Sequence, residues 1–300
     1  MRCGNIRGGA VSQHRKIRVA VVFGGRSAEH AVSCVGAGRI LAAMDPAKYE
    51  VVPIGITQAG QWVLTDNDPQ RLAITRGELP SVESVALAVP ESPAGGVIIK
   101  GPGQVPQALA EVDVVLPALH GAYGEDGTIQ GLLELTGVKY AGAGVFASAA
   151  GMDKEYMKLI FKARGLPVGP YVVVRDRDWH PPASGGQSLA IQRKKVLDEI
   201  CELGWPLFVK PARGGSSIGT SKVRDLAELH EAIEVAREHD PKVLVEAAIP
   251  GLEIECAVLE GQDGGPPETS VPGQIRVNGG EEFYDFEAKY LDDANDMVIP

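Results

Sequence analysis

The sequence predicts an α/β protein that opens with a parallel sheet, and three observations carry that expectation. Residues 17–23 form a β-branched, almost wholly apolar run that stops at Gly24-Gly25 and leads into a small-residue segment of helical character. Residues 112–119 repeat the pattern: an apolar run is ended by His120-Gly121 and followed by a helical segment at 128–135. A third strand candidate at 206–210 runs into a glycine–serine loop at 213–219 and then a helix at 225–239. Strand, small-residue turn and helix in that order are the building unit of α/β folds.

The remaining elements follow in chain order. Residues 1–16 contain Gly, Arg and Ser but no apolar segment, and read as a mobile tail, not a signal peptide. The first helix spans 29–44. Residues 49–56 alternate like a strand, and 62–64 supply a hairpin partner across Gly60. Residues 66–108 are rich in Pro and Gly and give no assignment. A short strand at 138–140 ends in a small-residue turn at 141–144. A helix over 153–164, with Met157, Ile160 and Phe161 on one face, stops at Gly165 with Pro167 beyond. A strand at 171–174, a loop at 175–187, a helix at 189–203 and a strand at 243–246 complete the second unit. Segments 252–260 and 271–277 begin a further antiparallel sheet. The expected division is 1–16 tail, 17–142 N-terminal α/β domain of Rossmann-like parallel-sheet type, 143–246 central lobe and 247–300 the start of a C-terminal lobe. That last lobe is expected to be incomplete, because the chain ends within the apolar stretch Met297-Val298-Ile299-Pro300.

Composition excludes several function classes. With 300 residues, 44% hydrophobic and 23% charged, the chain has the make-up of a soluble globular protein. No run approaches the roughly 20 apolar residues of a membrane span. A formal net charge of −10 argues against nucleic acid as a general partner. Cys3, Cys34, Cys201 and Cys256 are scattered without a Cys-x-x-Cys pair, so neither a disulfide framework nor a zinc site is indicated, and a cytoplasmic location is expected.

The strongest local signal is Phe208-Val209-Lys210-Pro211 followed by Arg213-Gly214-Gly215-Ser216-Ser217-Ile218-Gly219. Phosphate oxygens need several N–H donors aimed at one point, and successive small residues let the backbone form such a nest. Ser216 and Ser217 add hydroxyls, and Lys210 adds a cation. A plain Gly/Ser hairpin beside a surface lysine is the competing reading of that segment alone. No G-x-x-x-x-G-K-[ST] and no G-x-G-x-x-G occurs, which removes P-loop and dinucleotide sites. Residues 215–219 match G-x-S-x-G formally, but a hydrolase elbow needs a helix directly after the serine, and 218–223 reads as extended. The later His230 and His239 lie on a polar helix and are expected to be solvated. Glu29 and His120 each follow a predicted strand, at the edge where open α/β sheets bind ligands. A dipole-compensating acid and a satisfied turn are their bland alternatives.

Taken in order, GGRSAEHAVS (24–33), HGAYGEDGTIQGLLEL (120–135), GMDK (151–154), FVKPARGGSSIG (208–219), VLVEAAIPGLEIE (243–255) and FYDFEAKYL (283–291) resemble the D-alanine–D-alanine ligase family of the ATP-grasp superfamily. The resemblance implies a two-lobed α+β ATP-grasp part after the N-terminal domain, with its second lobe truncated here. It implies ligation of two D-alanine molecules through an acyl phosphate for peptidoglycan precursor synthesis, with ATP and Mg²⁺ or Mn²⁺, in a homodimer. Glu29 would bind the first D-alanine's ammonium and orient Ser216 and Tyr290, with His120 near that substrate. Lys154 and Lys210 would contact ATP phosphates, beside Gly215, Ser216 and Ser217. Phe208, Glu246, Ala247 and Ile249 would line the base, Glu253 would hold the ribose, Phe283 would also bind ATP, and Lys289 would reach the terminal phosphate. Tyr290 would sit on a loop covering the second D-alanine.

One departure stands out. The family's metal carboxylates belong to an R-x-D strand and an N-E-x-N motif, and neither occurs in this sequence. No metal ligand is therefore assigned, and the 300-residue chain is expected to be nearly inactive by itself. Asp292, Asp293 and Asp296 read as a solvated loop. The alternative function is a non-catalytic fragment that binds ATP or D-alanine.

Overall fold

A computed structural model describes residues 15–75, 78–82, 112–180, 186–276 and 296–299. Its first sheet is built around β1 (Ile17–Gly24), which pairs in parallel with β2 (Tyr49–Ile56) on one side and β4 (Val114–Pro117) on the other. The hairpin strand β3 (Trp62–Leu64) adds an antiparallel edge, giving the order β3-β2-β1-β4. A central parallel strand is covered on both faces, which is why β1 is apolar from Val19 to Phe23. Val19, Val21 and Phe23 pack on Cys34, Ala37 and Leu41 of α1 (His30–Ala43). Ala20 and Val22 face the opposite layer with Ile54, Val115 and residues Ile129 and Leu133 of α2 (Thr128–Thr136).

The chain then runs through α3 (Val145–Met152) and α4 (Lys154–Ala163) into a second, wholly antiparallel sheet. Its strands are β5 (Tyr171–Arg175), β6 (Leu207–Pro211), β7 (Ser221–Val223) and β8 (Lys242–Ala247), in the order β5-β8-β6-β7. Two helices, α5 (Gly186–Cys201) and α6 (Leu226–Arg237), cover one face. Val196, Ile200, Leu229 and Ile233 meet Leu207, Val209, Val243 and Val245 there. Because side chains alternate along a strand, Phe208 and Lys210 turn to the other face, where the candidate site lies. Beyond β8 are a three-stranded sheet of β9 (Glu253–Glu255), β12 (Gly273–Arg276) and β13 (Asp296–Val298), and the hairpin β10 (Val258–Leu259) with β11 (Glu268–Thr269).

Several element expectations are corrected. The segment at 138–140 is not a strand: only Tyr140 bridges to Val115. Residues 215–220 turn, with Ile218 N–H donating to the Gly215 carbonyl at 3.1 Å, so the extended segment is confined to β7. The loop expected at 175–187 contains one helical turn, Asp176–Trp179, and already includes the start of α5. Helix α3 had no counterpart in the sequence reading. Its residues VFASAAGM carry no apolar stripe, and only Ser148 is buried. Among the described residues Cys34, Cys201 and Cys256 form no disulfide, and no helix is long and apolar enough to cross a membrane.

Candidate functional site

Loops from both main sheets converge on the Glu29 carboxylate. Glu29 lies outside α1, at its N-cap, and makes no capping hydrogen bond. The side chain is only 5% exposed, and its Oε1 accepts a hydrogen bond from the Ser216 hydroxyl, 187 residues away. A Cβ on Gly215 would lie 2.9 Å from both carboxylate oxygens, and one on Gly121 would lie 2.2 Å from Oε2. Gly121 also holds φ +71°, which a side chain would strain, and at Gly215 an added Cβ would force the Glu29 carboxylate to shift. Ser216 and Ser217 both hold positive φ, 50° and 58°. Such a conformation costs a non-glycine residue about 1–3 kcal/mol, and this strain concentrates at functional sites.

His120 is half-buried beside this point. Its carbonyl accepts the Ser27 hydroxyl at 2.7 Å, which ties the loop after β4 to the loop after β1. The acids of the HGAYGEDG segment are struts: Glu125 accepts the Gly121 N–H at 2.7 Å, and Asp126 accepts those of Tyr123 and Thr128. His30 is structural too. Its Nε2 accepts the Val82 N–H at 3.0 Å and its Nδ1 lies 2.6 Å from the Gly25 carbonyl, which fixes the tautomer with the proton on Nδ1. His230 and His239 are exposed, as expected.

A cavity of about 440 Å³ opens beside the loop. Every ATP-contact candidate within the described residues lines it: Lys154, Phe208, Lys210, Gly215, Ser216, Ser217, Glu246, Ala247, Ile249 and Glu253. Ile275 and Glu255, from the sheet beyond β8, line it as well and were not anticipated. Phe283, Lys289 and Tyr290 lie outside the described residues, as do Asp292 and Asp293.

The cavity's charges are arranged on its phosphate-loop side. Lys154 opens α4 directly after its N-cap, Asp153, and donates to the Gly214 carbonyl at 2.5 Å. Burial, with the neighbouring Lys210 charge, pushes its ammonium down from 10.5 to about 8. The contact uses only the backbone of Gly214. Lys210 pairs with Glu246 at 2.7 Å, and the second Glu246 oxygen holds Lys158 at 3.0 Å. Burial opposes ionisation of Glu246, but the two lysines outweigh it and hold the carboxyl below its ordinary value. Lys158 escaped the sequence reading. The available signal was its i,i+4 spacing from Lys154, which places both ammoniums on one face of α4.

The donor set suits an adenine nucleotide. Phe208, Ile249 and Ile275 give apolar surface, Glu253 gives an acceptor for hydroxyls, and Lys154, Lys210 and the Gly–Ser backbone give cations and N–H donors. For a divalent metal the fit fails within the described residues: no group of three or more His, Cys, Asp or Glu side chains is placed to hold one.

The family model described as "D-ala D-ala ligase N-terminus" matches residues 18–143, and that described as "D-ala D-ala ligase C-terminus" matches residues 160–300. The chain belongs to the D-alanine–D-alanine ligase family. It is 58% identical over 288 residues to the D-alanine–D-alanine ligase of Streptomyces coelicolor, covering 94% of this chain and 72% of that protein. Among solved structures it resembles the VanG D-Ala:D-Ser ligase of Enterococcus faecalis, with TM-score 0.68 and 30% identity, over 94% of this chain and 76% of that one. The D-alanine–D-alanine ligase of Coxiella burnetii superposes with TM-score 0.61 and 30% identity, over 87% and 68%.

Proposed function

We propose that this chain carries the ATP-dependent ligation of two D-alanine molecules to D-alanyl-D-alanine, with release of ADP and phosphate, for peptidoglycan precursor synthesis. The observation that carries the reading is the contiguity of two sites: the buried Glu29–Ser216 contact stands at the edge of the cavity that holds Lys154 and Lys210. An amino acid bound by its ammonium at Glu29, with His120 alongside, would present its carboxylate to that cavity. The nucleotide supplies the phosphoryl group that activates this carboxylate. Lys154, Lys210 and the N–H groups of 215–217 would neutralise phosphate charge, which grows on oxygen as the bond transfers.

Phe208, Ala247 and Ile249 would hold the base with Glu246, Glu253 the ribose, and Lys289 the terminal phosphate, and Phe283 would also bind ATP. Tyr290 would close over the second D-alanine and, with Ser216 and Glu29, keep water from the activated carboxyl. Residues 17–142 would form the first substrate-binding domain, 143–246 the central lobe and 247–300 part of the C-terminal lobe. Mg²⁺ or Mn²⁺, a homodimer and a cytoplasmic location complete the reading as the family resemblance implies them.

The test is D-alanine-dependent phosphate release from ATP with Mg²⁺, the dipeptide being identified by mass. The protein assayed is a fusion of this chain with the part of the Streptomyces coelicolor relative that it does not match. Release that needs D-alanine and yields the dipeptide is expected. A folded fusion that binds ATP and releases nothing would favour the non-catalytic binding reading instead.

A further inference from the structure

We propose that Asp240 and Lys242, which do not line the cavity, are positioning residues for nucleotide binding: together they set the placement of Lys154 relative to the Gly214–Ser217 loop. The inference rests on the nucleotide reading of the cavity given above.

Asp240 sits in the turn between α6 and β8 and is 2% exposed. Its carboxylate accepts from the backbone N–H of Arg213 at 2.8 Å, from Arg213 Nε at 2.9 Å and Nη2 at 2.8 Å, and from the backbone N–H of Lys242 at 2.9 Å. Arg213 is the first residue of the glycine–serine loop, so this carboxylate fixes both the main chain and the side chain at the loop's base. Two residues on, the Lys242 ammonium spans Asp153 at 2.8 and 2.6 Å and Glu155 at 2.9 Å. Asp153 is the N-cap of α4, and Lys154 follows it. Two backbone bonds close the set: Ala212 N–H to the Lys242 carbonyl at 2.9 Å, and Lys154 N–H to the Ala212 carbonyl at 3.0 Å.

One three-residue stretch therefore holds two parts of the cavity wall that lie 60 residues apart in sequence. Stability alone does not call for this arrangement. Buried ion pairs lose in desolvation much of what they gain in attraction, and well-packed apolar residues commonly do as well. What an apolar replacement cannot do is hold the Arg213 N–H and the α4 N-cap at fixed positions. The ions keep their charges: burial opposes ionisation of Asp240 and Lys242, but Arg213 holds Asp240 below its ordinary value, and Asp153 and Glu155 hold Lys242 above its own.

The experiment is calorimetric titration of the full chain with ATP and Mg²⁺ between pH 6.5 and 9.5, beside thermal melting. Asp240→Asn and Lys242→Met are each expected to weaken ATP binding about tenfold at pH 7, the equivalent of about 1.4 kcal/mol. Lys242→Met, which leaves Lys210, Glu246, Asp240 and Asp153 facing Lys154, should also move the alkaline loss of affinity to higher pH, because Lys154 regains water when the loop loosens. Arg237→Gln removes an α6 arginine paired with Glu234 of the same helix and with Asp176 of the Asp176–Trp179 turn, and serves as a control for destabilisation. It should lower Tm yet keep the parent affinity and pH profile. Asp240→Asn and Lys242→Met proteins that melt lower but bind ATP with the parent affinity and profile would overturn the proposal. If Asp240→Asn does not fold, Arg213→Lys carries the test. It keeps the charge but loses the bidentate fork, so a several-fold loss is expected, and the parent affinity would again overturn it. A parent chain that binds no ATP would overturn the nucleotide reading itself, and this proposal with it.

Discussion

Lys154 is held between opposing demands. Its place at the N-terminus of α4 removes it from water and sets it near Lys210, while the Gly214 carbonyl keeps a hydrogen bond to it. With its proton lost near pH 8, the free protein meets a nucleotide's phosphates with one charge fewer above that pH than below it. A bound polyanion stabilises the ammonium and raises its pKa, so binding takes up a proton in the window just above 8. ATP affinity is therefore expected to be greatest below pH 8 and to fall, by at most about tenfold per pH unit, as pH rises beyond it. Titration in buffers of differing ionisation enthalpy measures the proton uptake directly. Lys154→Arg, always charged, should flatten the profile. A parent profile that is already flat from pH 7 to 9 would remove Lys154 from the phosphate site. The identity of this lysine was legible in the GMDK motif. Its partners were not, because a carbonyl 60 residues away leaves no trace in a local pattern.

At the scale of elements, the glycine turns explain why so much of the first sheet could be read in advance. Gly24 ends β1 with φ +84°, and a Cβ there would stand 2.4 Å from the Ile56 carbonyl oxygen and 2.5 Å from Val82. Gly24→Ala is expected to cost about 2–3 kcal/mol, from backbone strain and the forced shift of β2. Gly151, in α3, has open space around its Cβ direction and an ordinary φ. Gly151→Ala should stabilise by about 0.5–1 kcal/mol through helix propensity. Urea midpoints compare the two, and equal shifts would mean that the tight turn after β1 does not constrain the sheet. Strands announced themselves because a strand covered on both faces must be apolar throughout. Helix α3 did not, because small residues on an exposed helix carry no period. Asp240 and Lys242 were illegible for a different reason: each is ordinary in its own neighbourhood and acquires meaning from a partner 27 or 89 residues away.

In the molecule as a whole, the Glu29–Ser216 contact joins the parallel-sheet part of the chain to the antiparallel one. Ser216→Ala removes the hydroxyl and leaves a buried carboxylate short of a donor, which costs about 1–3 kcal/mol locally. Amide exchange is expected to quicken in both 120–127 and 213–219 while α6 stays protected. Quickening confined to residue 216 would show that the contact does not couple the two sheets. The sequence motifs located both ends of this link but not its geometry, since the resemblance assigned Glu29 and Ser216 to one site without stating how far each is buried.

The most direct measurement is ATP binding by the 300-residue chain and its Lys210→Ala variant at pH 7. Lys210 pairs with Glu246 at 2.7 Å and lines the cavity beside the loop. The parent is expected to bind one ATP per chain, and the variant to bind it more weakly by about 1.5–3 kcal/mol, the contribution of one charge-assisted contact. Equal affinity in parent and variant, or no binding by a folded parent, would contradict the placement of the nucleotide in this cavity.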